Sequence, residues 1–118
     1  MTAKESKIQL YKDTLFDIAD HPAIYVDLIE AIVDYLGPTI YQDDAEIVAS
    51  SDPSELKTVR ESFLKKKLGL ADKYSNGELD DAIAEVVETL GKSNRTKYRA
   101  VVYYLLAQKF KKESLFVK

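Results

Sequence analysis

The sequence predicts an all-α protein: one domain of five to six helices in an orthogonal or bundle-like array. Apolar residues recur at spacings of three and four along most of the chain, which places them on single helical faces. The four glycines and three prolines fall almost entirely between these periodic stretches, where helices stop and start. A length of 118 residues, with 46% hydrophobic and 31% charged, suits one globular core rather than a disordered chain. The domain is expected to span 1–118, with 1–3 and 113–118 frayed.

The first helix is predicted over 4–19, with Ile8, Tyr11, Leu15 and Ile18 on one face. Asp20-His21-Pro22 ends it and starts the next, with Asp20 or His21 near the cap and Pro22 in the first turn. The second helix, 23–36, carries charges only at Asp27, Glu30 and Asp34, which form one narrow acidic strip. Most of its remaining surface is apolar, so it is expected to be central or covered by a partner. Gly37-Pro38 terminates it. Asp43 or Asp44 is placed to cap a short helix through Ala49.

Asp52-Pro53-Ser54-Glu55 is a strong helix start, with a cap oxygen, an early proline and a carboxylate at the third position. That helix runs to Leu68, burying Leu56, Val59 and Phe63, and Gly69 closes it. Ser75-Asn76-Gly77 reads as a turn into helix 78–90, which buries Leu79, Ile83, Val86, Val87 and Leu90 and stops at Gly91. Ser93 or Asn94 caps the last helix, which runs to about Lys112. Its middle, Ala100 to Ala107, has high β propensity, and a buried strand is the competing reading. Helix is preferred because Tyr98, Val101, Val102, Leu105 and Leu106 extend the helical spacing beyond the run.

Composition narrows the chemistry. The chain has no cysteine, which removes disulfides, thiolate catalysis and cysteine-ligated metal centres. The first residues, with Lys4, Glu5 and Lys7, do not resemble a secretory signal. The longest apolar run is eight residues, against about 20 for a membrane span. A cytoplasmic protein is therefore expected. The net charge of −3 hides a gradient: residues 1–55 carry −9, residues 56–91 carry −1 and residues 92–118 carry +7. Either the basic end meets a polyanion, or the two ends neutralise each other within the fold.

Catalytic and metal constellations are not evident. His21 is the only histidine and has no nucleophile motif beside it. Glu78, Asp81, Glu85 and Glu88 align along one face, but that face lies opposite the apolar one and reads as solvated. Asp43-Asp44-x-Glu46 lacks the glycine and distal glutamate of a calcium loop. Gly91-Lys92-Ser93 lacks the earlier glycine and preceding strand of a phosphate loop, since Val86 stands where that glycine would be. No cofactor or metal is expected. One candidate survives: Lys92, Ser93, Arg95, Lys97 and Arg99, at the start of the last helix, could form an anion site with its free N–H groups. Pairing with acidic side chains of the same domain, such as the strip on helix 23–36, is the simpler alternative.

Two stretches carry a family resemblance. One comprises Gly37-Pro-Thr-Ile-Tyr41, Ser51-Asp-Pro-Ser-Glu-Leu56 and Lys66-Lys-Leu-Gly-Leu70. The other is Leu90-Gly-Lys-Ser-Asn-Arg95 followed by Lys97-Tyr-Arg-Ala-Val-Val-Tyr-Tyr-Leu-Leu106. Together, over roughly 37–116, they resemble a bacterial family of small helical proteins, domain of unknown function 2853. The resemblance implies an all-α fold and a bacterial cytosolic origin, and it transfers no activity, ligand or site residue. The expected function is a non-enzymatic protein-interaction module. A homodimer is among the expected assemblies, because helices 23–36 and 94–112 compete for the centre of one small core. Nucleic-acid backbone binding through the basic last segment is the alternative.

Overall fold

The computed structural model describes residues 2–17, 25–91 and 97–117. Over these residues the chain is helical, with one isolated antiparallel bridge between Ile47 and Tyr98. Helix α1 spans Ala3–Phe16. Thr2 starts it with a reciprocal cap: its hydroxyl accepts from the Glu5 N–H, and the Glu5 carboxylate accepts from the Thr2 N–H, both at 3.1 Å. The helix ends at Phe16, before the predicted 19; Ile18, Asp20, His21 and Pro22 lie outside the described residues.

Helix α2 covers Val26–Leu36. It begins after Tyr25, whose backbone is extended and whose N–H donates to the Tyr104 hydroxyl at 2.8 Å. Leu28, Ile29, Ile32 and Val33 are buried, and Asp27, Glu30 and Asp34 form the exposed strip the spacing predicts. Gly37, at φ +59, stops the helix in a conformation that side-chain-bearing residues rarely adopt. A 3₁₀ turn follows over Gly37–Tyr41.

The short helix predicted through Ala49 is cut to one turn, α3, Asp43–Glu46. Ile47 and Val48 are β-branched, and the bridge claims them instead: the Val48 N–H donates to the Lys97 carbonyl at 2.8 Å.

Helix α4, Pro53–Thr58, starts where the sequence places it. The Asp52 carboxylate accepts from the Ser54 N–H at 2.9 Å and the Ser54 hydroxyl at 2.8 Å. From Val59 to Lys67 the chain is wound in wider π turns, which periodicity did not predict. Its closing bond runs from the Leu68 N–H to the Phe63 carbonyl at 2.9 Å, a five-residue reach. Gly69, at φ +70, then reverses the chain.

Helix α5, Asn76–Leu90, begins two residues before the predicted 78, so Gly77 lies in its first turn. The reason is a second reciprocal cap, between Ser75 and Glu78. Helix α6 covers Arg99–Lys109 rather than 94–112. Its start is delayed because Lys97 and Tyr98 belong to the extended bridge; the proposed caps Ser93 and Asn94 lie outside the described residues. At the other end Lys111 takes φ +57. A 3₁₀ turn, Glu113–Leu115, returns Phe116 to the body of the protein.

Helix α6 is the axis of the core. Ala100, Val101, Val102, Tyr103, Tyr104, Leu106 and Ala107 are all buried, so the helix is covered on nearly every side. It packs against α2, α5 and α1. Phe63, from the π segment, stacks on Tyr103 with centroids 3.9 Å apart and planes inclined by 14°. The two apolar helices that compete for the centre therefore lie against each other within one chain, so their competition does not call for a dimer. The radius of gyration is 13.4 Å, close to the roughly 13.5 Å expected of one compact domain of this length. No helix among the described residues is long and apolar enough to cross a membrane.

Candidate functional site

The charged residues singled out in the sequence fall into two groups. Lys92, Ser93 and Arg95 lie outside the described residues. Lys97 is 3% exposed and precedes α6 instead of sitting in its first turn. Arg99 is also buried, and its guanidinium is bound inside the fold. It donates to the Ala45 carbonyl at 2.7 Å and the Tyr103 hydroxyl at 3.2 Å, and forms an ion pair with Glu55. Glu55 is thus spent on Arg99 and does not close a capping box over Asp52. The acidic strip of α2 has a different partner, since Asp34 pairs with Lys4.

A second buried charge has no local sequence signature. Glu46, at the end of α3, is 8% exposed. Lys7 donates to its two carboxylate oxygens at 3.0 and 2.9 Å, and the Tyr11 hydroxyl donates at 2.6 Å. Lys7 and Tyr11 are one turn apart on α1, so a single helical face presents both donors. Burial first, and then the bond to Glu46, push the Tyr11 phenol well above its ordinary pKa. Glu46 and Tyr11 are buried and Lys7 is half-buried, with each bonded to another member of the group, which makes it a fastening between α1 and α3.

Among the described residues, a groove of about 490 Å³ lies between α5 and the stretch formed by α4 and the start of the π segment. Pro53, Leu56, Lys57 and Arg60 line one wall; Asp80, Ile83, Ala84 and Val87 line the other, with Ser50 at one end. The volume lies in the range typical of ligand and partner sites. Leu56 and Val87, predicted to be buried, are only half-buried, because their outer surfaces face this groove. Ala84 leaves the trough deep by presenting only a methyl group. Arg60 spans the walls: it donates to both Asp80 oxygens at 3.1 and 2.9 Å, and to Glu61 at 2.8 Å. Of these contacts, the one to Asp80 ties the two walls together at one end. The signal in the sequence was the apolar width of α5, where Val86 and Val87 stand side by side and only one can face the core.

The exposed row Glu78, Asp81, Glu85 and Glu88 runs along α5, and Glu85 pairs with Lys109. Among the described residues, no group of three or more His, Cys, Asp or Glu side chains is placed to hold a metal ion.

Fold and groove together define a small all-helical domain with a preformed, mainly apolar interhelical trough. Residues 14–114 match the family described as a protein of unknown function, DUF2853. The match covers most of the chain, and the chain belongs to that family. A comparison with curated proteins found no match.

Proposed function

We propose that this chain is a non-enzymatic protein-interaction module and that the α4–α5 groove is its contact site. The observation that carries the reading is the groove itself: an apolar floor of Leu56, Ile83, Ala84 and Val87, bridged at one end by the Arg60–Asp80 pair and rimmed by charge. An apolar floor with a few fixed polar groups is the usual anatomy of a recognition site. The basic segment supports nucleic-acid binding less well, because Lys97 and Arg99 are both turned into the protein.

Site-specific photocrosslinking in the native host tests the reading. A benzophenone side chain at Ser50, at one end of the groove, is expected to give discrete protein adducts that are absent when it replaces Ser6, which is exposed on α1 outside the groove. No protein adduct from position 50, or the same adducts from both positions, would refute it.

A further inference from the structure

The two walls of the groove share one pattern. Pro53, Leu56, Lys57 and Arg60 stand at offsets of zero, three, four and seven, and so do Asp80, Ile83, Ala84 and Val87. The α5 wall is two helical turns, about 10 Å at the usual rise per residue, and the opposite wall runs from α4 onto the π segment at Arg60. The trough is open to solvent on its outer side, and the Arg60–Asp80 pair crosses it at one end. A rod of similar width, bearing apolar side chains at the same offsets, would interdigitate with both walls. An extended peptide would bring unpaired N–H and C=O groups onto an apolar floor, whereas a helix satisfies its own.

Charge narrows the occupant further. The carboxylate of Asp80 is neutralised by Arg60, and Arg60 is shared with Glu61. Lys57 is exposed on the rim and makes no ion pair with any described residue. The lining is left with one uncompensated positive charge, in a chain whose net charge is −3.

We infer that the groove receives an amphipathic helix of a partner protein, anchored by apolar side chains over two turns and carrying a carboxylate opposite Lys57. The inference rests on the groove being an interaction site, and adds the form and charge of what enters it.

Two lactam-stapled peptides provide the probe, stapled because short free helices are marginal in water. Both carry leucines at offsets zero, three, four and seven; one is flanked by glutamates and the other by lysines. Fluorescence polarisation is expected to show the glutamate peptide binding about fivefold more tightly, a difference that shrinks at high salt. Lys57→Glu should reverse the order, and Ala84→Trp, which fills the trough, should weaken both peptides by about tenfold or more. Both positions are exposed, and circular dichroism confirms that each variant is folded before its affinity is read. Equal affinities, no binding of either peptide at millimolar concentration, or indifference to Ala84→Trp would overturn the inference. So would a self-associating wild type that Ala84→Trp makes monomeric in sedimentation equilibrium, since the occupant would then be a second copy. Protein adducts at Ser50 combined with peptide failure would sink the helix inference and leave the interaction reading standing.

Discussion

Replacing Tyr11 by phenylalanine removes one oxygen and nothing else from the fastening between α1 and α3. The lost bond is short, 2.6 Å, and its acceptor is a carboxylate only 8% exposed. Hydrogen bonds to charged groups contribute about 1.5–3 kcal/mol. The ring stays in place against Tyr98, at a centroid distance of 5.3 Å, so the cavity is no larger than the hydroxyl. Lys7 still holds both Glu46 oxygens, so the carboxylate is not stranded. The expected loss for Tyr11→Phe is therefore at the low end, about 1.5–2 kcal/mol. Glu46→Ala should cost more, about 2–3 kcal/mol, because it leaves the phenol of a fully buried Tyr11 without an acceptor. The double variant should cost less than the sum of the two by about 1 kcal/mol or more, since the shared bond is lost once. Urea unfolding followed by far-UV circular dichroism near neutral pH supplies the three values. A Tyr11→Phe loss below about 0.5 kcal/mol, or strict additivity, would show that the bond does not contribute as its geometry implies.

Asp52→Ala should lower the urea midpoint and Asp52→Ser should largely preserve it, because a serine oxygen can still accept from the Ser54 N–H. Stability should also fall in acid. The Asp52, Glu5 and Glu61 carboxyls are all held below their ordinary pKa: Asp52 by Ser54, Glu5 by Thr2, and Glu61 by Arg60 and then Lys65. A carboxyl depressed in the folded state stabilises it fully above its unfolded pKa of about 4, and that contribution is lost as pH falls through the folded value. A urea midpoint that stays constant between pH 5 and pH 2 would contradict this. Phe63→Ala should cost about 3–5 kcal/mol, the usual cost of deleting a buried aromatic, because it also removes the stack on Tyr103. An unchanged thermal midpoint would mean that the π segment repacks around the gap.

Local signals survived folding best where the sequence supplied both a cap and a periodic face. Asp52-Pro53 marks the start of α4, and Gly37, Gly69 and Gly91 mark chain reversals with positive φ. The core residues of α2 and α5 follow their spacing. Signals failed where a distant residue had a prior claim. Glu55 has the position of a capping-box partner, yet Arg99, 44 residues away, takes it. The start of α6 is displaced by pairing with Ile47, and no property of residues 94–98 alone announces that contact. Glu46 read as part of a poor calcium loop, and its real partners lie on α1, 35 and 39 residues away. The groove is a relation between α4 and α5. Its residues were visible one helix at a time, but which surplus apolar surface would meet which depends on the tertiary arrangement. The π winding has no periodic signature in so short a segment.

The bridge between Ile47 and Tyr98 also determines how the chain would carry load. These residues are 51 positions apart, and everything between them, including α4, the π segment and α5, is an excursion that leaves and returns at the same place. The excursion is tied to the rest of the chain by that bridge and by the contacts of Glu55, Phe63 and α5 with α6. While these hold, the groove-bearing helices are mechanically bypassed, and α1, α2 and the C-terminal end of α6 bear the force. Once they break, roughly 170–180 Å of contour length comes under tension together, at the fully extended span per residue. Pulled from its ends, this protein would surrender its periphery first and its groove last.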